Sequence, residues 1–359
     1  MDFLVKQNII KKNKVIVDIG RKYTKLLMVT YEKGHIGILD SQKVDTSSCF
    51  TDGELMDVRG LVQKITTAVG KKKLSKKTEL SVSIPSSMVI YKIVPVKNVS
   101  TKDLKRYVKR EFITLGKINT QNYETDWAYL GSREENGETV HYCMLAGVNK
   151  AYIMPILTEF EKRSYRVTQI SFSVADLISL CDLYSEDYEH PNKMLLDFGI
   201  TSTRVIIECE GVVVYTREIP MGFTVFVESL FHAFGTLGYP EIVAMLTEMG
   251  LRRDNFLAGI HDKDAFFDVI DKLAEDFQNE LIRMMQMCEE SGYTITKIIS
   301  TGRLPEGLMD VFSENGIAVE KMELQEKGTK KGSSYIVTAE PELEPEYGVA
   351  VGLAVNTLL

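Results

Sequence analysis

Two segments of the sequence repeat an aspartate, a glycine, a threonine and a basic residue at one spacing. The first segment runs from Asn13 to Leu27 and the second from Asn192 to Ile206. Both read N-K-φ-φ-φ-D-φ-G-x-x-x-T-[K/R]-φ-φ, where φ is an apolar residue. Chance rarely aligns four such residues in one register, so the pattern indicates an internal duplication.

These residue types suit the binding of phosphate groups. Glycine lets the backbone approach a ligand closely, and the N–H groups of a turn together with a nearby hydroxyl can hold phosphate oxygens. An aspartate at the end of a strand can hold hydrated Mg²⁺ beside them. One copy alone would indicate only a tight hairpin, whereas two copies in register indicate an ancestral phosphate clamp, whether or not it still works.

The elements that would position these residues follow from the apolar runs. Each copy is typical of a buried strand, a tight turn and an antiparallel partner strand. A further strand is predicted after each copy, over His35–Val44 and Gly211–Ile219. Together the two copies predict two hairpins that face each other across a cleft.

Helical spacing marks three other segments. An apolar stripe begins near Leu55 and ends at Val69, and Ser100 is predicted to cap a basic helix from Thr101 to Leu115. A long helix carries an apolar face from Phe266 to Cys288. That face includes methionine, and we interpret it as core packing rather than as a ligand site.

Composition excludes several classes of protein. The chain has 359 residues and a net charge of −7, which argues against a general nucleic-acid binder. No apolar run is long enough to span a membrane, and the N-terminus does not resemble a signal peptide. The five cysteines are widely spaced and never form CxxC, so reduced thiols in the cytosol are expected.

The duplicated motif resembles the two phosphate loops of the actin-like ATPase superfamily. Within it, the chain looks most like the PilM family of type IV pilus assembly, which is itself similar to the division protein FtsA. The resemblance covers nearly the whole chain. Beyond the two loops it rests on Glu111–Ile113, Tyr123–Asp126, Asn279–Arg283, Ile298–Gly302, Leu304–Leu308 and Tyr347–Ala354.

This resemblance implies an α/β fold, the duplicated actin-like (ribonuclease H-like) fold with two halves and a small α+β insertion. Residues 1–97 and 166–186 would form the first half, and residues 98–165 the inserted domain. Residues 187–238 and 292–359 would form the second half, with 239–291 as its helical subdomain.

The resemblance also implies a site for ATP and Mg²⁺. Asp18 and Asp197 would hold the metal and place the attacking water, as catalytic residues. Glu280 and Arg283 would border the ribose, although an exposed ion pair between them is an equal alternative. The other nucleotide-binding residues would be those of the two phosphate loops and the adenosine loop, namely Gly20, Arg21, Lys22, Thr24, Gly199, Thr201, Ser202, Thr203 and Gly302.

Three departures from the family pattern put this nucleotide site in doubt. Arg21, Lys22 and Tyr23 stand where the family prefers small residues, and Arg303 replaces the second glycine of the adenosine loop. The segment Ser171–Ala175 lacks acidic residues that PilM proteins often have. We therefore expect weak or absent ATP binding and no robust hydrolysis, unless Arg21 and Lys22 themselves bind phosphate.

As a function, the resemblance implies a cytoplasmic adaptor that is peripheral to the inner membrane through its partner. It would bind the N-terminal cytosolic tail of a PilN-like membrane protein, between the first half and the insertion, and contact other pilus assembly proteins. Self-association stays open, no nucleic acid is expected, and membrane contact would be indirect. The alternatives are a sugar kinase or phosphatase-type enzyme, and an FtsA-like filament, for which the ending Val355–Leu359 offers no amphipathic membrane helix.

Overall fold

The computed structural model describes residues 12–32, 35–71, 78–116, 121–135, 137–181, 189–234, 237–252, 263–324 and 336–357. The strands in these ranges are β1 (Lys12–Asp18), β2 (Tyr23–Glu32), β3 (His35–Asp45), β4 (Phe50–Thr51), β5 (Glu54–Leu55), β6 (Glu79–Ile84), β7 (Val89–Lys97), β8 (Tyr123–Glu135), β9 (Glu138–Asn149), β10 (Arg166–Phe172), β11 (Asn192–Phe198), β12 (Thr203–Cys209), β13 (Val212–Ile219), β14 (Lys297–Gly302), β15 (Ala318–Lys321) and β16 (Ile336–Ala339). The helices are α1 (Val58–Gly70), α2 (Thr101–Gly116), α3 (Lys150–Lys162), α4 (Ser173–Cys181), α5 (Phe223–Ala233), α6 (Tyr239–Met249), α7 (Lys263–Glu290), α8 (Asp310–Glu314) and α9 (Gly348–Asn356).

Two sheets carry the duplicated hairpins. The first has the strand order β10-β6-β1-β2-β3-β16 and the second the order β13-β12-β11-β14-β15. In both sheets the first strand of the hairpin pairs antiparallel with its hairpin partner and parallel with a strand on its other side. The predicted order of strand, tight turn and antiparallel strand is therefore confirmed in both copies.

Helices α4 and α9 lie between the two sheets. Their apolar residues share one core with Ile16 and Leu27 of the first sheet and Leu195 and Ile206 of the second. The outer face of the first sheet packs on α1 and α3, and the outer face of the second packs on α5, α6 and α7. Because strands such as β1 and β11 are buried on both faces, they are continuous apolar runs rather than alternating ones.

The inserted domain is a three-stranded antiparallel sheet with the order β7-β9-β8. Helix α2 covers one face of this sheet through Leu104 and Val108, which pack with Val96, Cys143 and Leu145. Met144 and neighbouring residues on the opposite face pack against the core of the first sheet. The sheet is therefore separate from the two main sheets but joined to the first half by a shared core.

Strand pairing differs from two of the predicted domain boundaries. β7 precedes residue 98 but pairs with β9 along its whole length, so it joins the inserted sheet rather than the first half. β16 and α9 fall within the predicted stretch 292–359 of the second half. However, β16 pairs with β3 of the first sheet, and α9 packs against α4. Periodicity identifies a strand but not the sheet that it joins, which explains both differences.

Among the described residues, no helix is both long enough and apolar enough to cross a bilayer.

Candidate functional site

The ends of the two hairpins are built alike, down to one ion pair in each. Asp18 lies opposite Lys25, and Asp197 lies opposite Arg204. The Lys25 Nζ is 3.1 Å from the Asp18 Oδ2, and Arg204 pairs with Asp197 in the same way. Both aspartates are buried. The charge of each aspartate is therefore already matched by the base of its own hairpin.

This pairing bears on the predicted metal site. A hydrated Mg²⁺ would have to compete with Lys25 and Arg204 for the two carboxylates. The described residues also contain no group of three or more His, Cys, Asp or Glu side chains arranged to hold a metal ion. Magnesium usually binds through one or two carboxylates, waters and substrate phosphates, so the pairing with Lys25 and Arg204, rather than the lack of such a group, weighs against Asp18 and Asp197 as magnesium ligands.

The two turns meet across one cleft, which we call the hairpin cleft. Arg21 Nη1 of the first turn donates to Thr201 Oγ1 of the second at 2.9 Å. Asp197 lines this cleft, whereas Asp18 lies just behind the lining residue Lys25. The lining comprises Ile19–Tyr23, Lys25, Pro85–Ser87, Asp197–Ser202, Arg204, Glu218, Gly302, Arg303 and Glu346.

The glycines of the two turns are required by the turns themselves. A Cβ on Gly20 would lie 2.4 Å from the carbonyl oxygen of Tyr23, and a Cβ on Gly199 would lie 2.6 Å from that of Ser202. No side chain can occupy such a position. The steric demand of the turn is thus sufficient to explain both glycines, without a ligand.

The predicted phosphate-binding hydroxyls all have partners within the protein. Thr24 Oγ1 and Thr46 Oγ1 are 3.1 Å apart in a buried contact, and Thr203 donates to the carbonyl oxygen of Met221 at 2.7 Å. Ser202 donates to Glu218, and Thr201 accepts from Arg21. The O–H groups of Ser202 and Thr203 are therefore already used as donors, whereas Thr201, which accepts from Arg21, keeps its own O–H for a ligand.

The residues that depart from the family pattern gather at the mouth of the hairpin cleft. Three cations surround the ring of Tyr23. The ammonium groups of Lys22 and Lys43 each lie 5.7 Å from the ring centroid, and the guanidinium of Arg303 lies 5.9 Å from it. Arg303 Nε also donates to Glu346 Oε2 at 3.0 Å. These contacts hold side chains from both halves together over the opening.

The hairpin cleft is small as a result. Its cavity is about 70 Å³. Pockets for cofactors and drug-sized ligands are usually ~300–1,000 Å³. The hairpin cleft is therefore several-fold smaller than a typical cofactor pocket.

Arg204 is the cation of the hairpin cleft on which several acids act. Burial alone would lower its pKa, but Asp197, Glu218 and Asp18 hold the pKa of Arg204 above its ordinary value. Acids from both hairpins therefore act on one guanidinium. The Nε of Arg204 is buried and has no hydrogen-bond partner among the described residues.

The residues expected around the nucleoside lie in two places. Gly302 lines the hairpin cleft with φ +84°, and a Cβ there would lie 2.3 Å from the carbonyl oxygen of Phe198. Glu280 and Arg283 do not line that cleft. Arg283 Nη1 is 2.6 Å from Glu280 Oε1, and Arg217 is 2.8 Å from the other carboxylate oxygen of Glu280. Glu280 and Arg283 therefore form the ion pair that was the alternative to a ribose-binding role.

A buried acid also stands behind the first hairpin. Asp176, in the first turn of α4, is fully buried and accepts from Ser171 Oγ at 2.6 Å and from Asn356 Nδ2 at 3.0 Å. Burial raises the pKa of Asp176 to about 7, and the nearby charge of Asp18 adds to this effect. Asp176 follows directly after the segment Ser171–Ala175, which itself contains no acidic residue.

A second cavity, of about 760 Å³, lies between the inserted sheet and the two halves. We call it the interdomain groove. Seven consecutive residues of β8, from Glu124 to Leu130, form one side, and Gln169–Phe172 of β10 lie across from them. Ala146 of β9, Ala175 of α4 and Val213 of β13 also contribute to the lining.

Two of the strands that line the interdomain groove, β8 and β10, lie at the edges of their sheets. Among the described residues, β8 pairs only with β9, and β10 pairs only with β6. An edge strand presents backbone N–H and C=O groups that can pair with another extended chain. The groove lining also includes three acids, Glu124, Asp126 and Glu208, and no lysine or arginine.

No family model and no curated protein sequence matches the chain. Among solved structures, the PilM–PilN type IV pilus biogenesis complex superposes with a TM-score of 0.73 at 15% identity, over 96% of this chain and 98% of that one. The chain has an actin-like fold.

Two other solved structures match this actin-like chain less well. MreB5 of Spiroplasma citri bound to AMPPNP gives a TM-score of 0.46 at 9% identity, over 97% of this chain and 95% of its own. The ethanolamine utilization protein EutJ of Carboxydothermus hydrogenoformans gives 0.47 at 10% identity, over 96% and 89%. The predicted fold class is confirmed by the first match.

Sequence reasoning missed several residues of this actin-like cleft. Lys25 and Arg204 occupy the basic position of the repeated motif, so their pairing with the aspartates could have been inferred from the hairpin register. The same holds for Glu218, which lies opposite Arg204 in the register of β12 and β13. Glu346 could not have been inferred, because it reaches the cleft from a segment far away in sequence. The interdomain groove likewise joins segments that nothing in the sequence connects.

Proposed function

We propose that the protein is an actin-like adaptor of type IV pilus assembly, and that its interdomain groove binds the N-terminal cytosolic tail of a PilN-like inner-membrane protein. The fold it shares with PilM supports this proposal, and so does the chemistry of the groove. In this role the protein would be cytoplasmic, peripheral to the inner membrane through its partner, and in contact with other pilus assembly proteins.

The observation that carries the proposal is the pair of edge strands along the interdomain groove. An extended peptide binds to a sheet edge mainly through main-chain hydrogen bonds, while pockets on either side select its side chains. β8 offers such an edge over Glu124–Leu130, and β10 offers another across the groove. Apolar side chains such as Phe172 and Ile178 lie in the lining beside polar ones.

The charge of the groove indicates what kind of tail it suits. Asp126 is exposed, and Glu124 is exposed and 3.2 Å from Lys150. Glu208 is likewise paired, 3.4 Å from Lys193, so Asp126 is the acid of the lining that favours a peptide with lysine or arginine. Cytosolic segments close to a membrane span have such an excess of positive charge. The tail of an inner-membrane protein therefore matches the groove in sign.

We propose further that ATP binds weakly or not at all in the hairpin cleft, and that tail binding is largely independent of it. The small volume of the cleft and the internal partners of its hydroxyls support this view. The interdomain groove shares no lining residue with the hairpin cleft. Robust ATP hydrolysis is not part of the proposed function.

Calorimetric titration with a synthetic peptide of the PilN-like protein's N-terminal tail tests the site of binding. Ala146→Arg would fill the groove and bring a cation into it, so we expect at least a tenfold loss of affinity. Ser132→Arg adds the same side chain at an exposed position of β8 outside the groove and should change affinity less than twofold. Equal affinity of both variants would contradict the proposed location.

A further inference from the structure

Helix α2 of the inserted domain presents a row of basic side chains to solvent. Lys102, Lys105, Arg106, Lys109 and Arg110 are all exposed. Their spacing of three and four residues places them on one side of the helix, because a helix turns once in 3.6 residues. The opposite side carries Leu104 and Val108, which are buried on the inserted sheet.

The charge of this basic row is mostly uncompensated. Arg106 lies 3.0 Å from Asp103, and the guanidinium of Arg110 lies 5.7 Å from the ring centroid of Tyr107. None of the three lysines forms an ion pair with an acid in the described part of the chain. The whole protein has a net charge of −7, so the row stands out against an acidic background.

An apolar residue continues the same row. Ile113 follows Lys109 by four residues, and 45% of its surface is exposed. Basic residues together with exposed apolar ones on a helix are typical of helices that lie at a membrane surface. The row from Lys102 to Arg110 is roughly 12 Å long at 1.5 Å per residue, so its charges can meet several lipid headgroups at once.

We propose that the exposed face of α2 is a docking surface for the anionic headgroups of a lipid bilayer. Each lysine or arginine near an anionic bilayer adds to the attraction, which falls off within a Debye length. This contact is direct, in contrast to the indirect membrane contact expected from the family. It does not depend on the tail, because the basic residues of α2 do not line the interdomain groove.

The face suits lipid better than nucleic acid. Single-stranded nucleic acid is usually held by exposed aromatic side chains on which its bases stack, whereas Tyr107, beside the row, is half-buried and packs with the core under α2. The apolar member of the row is instead an isoleucine, which can enter the boundary between headgroups and acyl chains.

Cosedimentation of the full chain with vesicles tests this inference without any partner protein. We expect binding to vesicles of 70% phosphatidylcholine and 30% phosphatidylglycerol but not to pure phosphatidylcholine, and loss of binding when salt is raised from about 50 to 500 mM. Lys105→Gln with Lys109→Gln should lower partitioning about 25-fold, roughly fivefold for each cation. Lys272→Gln with Lys321→Gln removes two exposed lysines elsewhere and should change it less than twofold.

Three results would overturn the inference. These are equal sedimentation with both kinds of vesicle, equal losses in the two double variants, and retention on a DNA duplex without binding to anionic vesicles. Unfolding temperatures of the variants should match the parent, because the substituted lysines are exposed. Tail-peptide affinity of the Lys105→Gln, Lys109→Gln variant should also be unchanged, so failure here is distinguishable from failure of the proposed adaptor function.

Discussion

The hairpin cleft and the interdomain groove differ in how their polar groups are paired. The predicted phosphate-binding hydroxyls of the cleft are hydrogen-bonded within the protein, whereas the groove is lined by strands with an open edge. In the hairpin cleft, lining side chains bond to one another: Arg21 of the first turn donates to Thr201 of the second, and Arg303 donates to Glu346. The lining of the interdomain groove includes two edge strands, β8 and β10, whose outer backbone groups no described strand pairs. Under the proposed function, recognition therefore depends on a surface outside the repeated motif.

The largest expected effect comes from breaking the ion pair of the second hairpin. Asp197→Ala leaves the largely buried Arg204 without its nearest carboxylate and should cost about 3 kcal/mol of unfolding free energy, measured by denaturant unfolding. Adding Arg204→Met should restore much of that stability. As a control, Lys162→Ala disrupts an exposed pair with Glu159 and should cost less than about 1 kcal/mol. A loss as small for Asp197→Ala would contradict a paired, buried hairpin end.

Asp176 should make stability depend on pH. Its pKa is 3.8 in the reference state and about 7 in the folded protein, so the folded state keeps a proton that the unfolded chain releases. Stability from this group is present below about pH 4 and is lost as the pH rises to 7. Relative to the parent, Asp176→Asn should therefore gain on the order of 2–4 kcal/mol between pH 4 and pH 8. Parallel pH profiles of the two proteins in denaturant unfolding would exclude a raised pKa.

Opening the mouth of the hairpin cleft should improve nucleotide binding. Arg303→Gly removes the contacts with Tyr23 and Glu346, while Lys43 still pairs with Glu346. We expect calorimetry to give roughly tenfold tighter MgATP binding than in the parent, or about 1.4 kcal/mol. If the parent already binds MgATP at low micromolar concentration, Arg21 and Lys22 are phosphate ligands rather than obstructions.

The smallest expected effect concerns the charge of the interdomain groove. Asp126→Asn removes one exposed acid and should weaken binding of a basic tail peptide two- to fivefold, since exposed charge pairs contribute under about 1 kcal/mol. The loss should disappear at high salt. Glu138→Gln, at an exposed position of β9 outside the groove, is the matched control. A salt-independent loss would mean that Asp126 acts through the backbone N–H of Trp127, to which it is hydrogen-bonded.

Local patterns in the sequence were enough to predict the hairpins and most helices. The repeated motif fixes Asp18 and Asp197 at strand ends because apolar runs, glycine and turn geometry all act over a few residues. Contacts between distant segments were not predictable in this way. That β7 joins β9, that α9 packs on α4, and that Glu346 reaches Arg303 all depend on the assembled fold. The same holds for the burial of Asp176, which depends on the packing of α9 against α4. Gly352 of α9 passes so close to α4 that a Cβ on it would lie only 2.1 Å from the carbonyl oxygen of Asp176.

Titration of the tail peptide in the presence and absence of saturating MgATP tests the central claim most directly, namely that recognition lies in the interdomain groove and not in the hairpin cleft. We predict measurable peptide binding in both conditions, with affinities that agree within threefold, and at least a tenfold loss for Ala146→Arg in each. Peptide binding that requires MgATP, or that survives Ala146→Arg unchanged, would contradict the account.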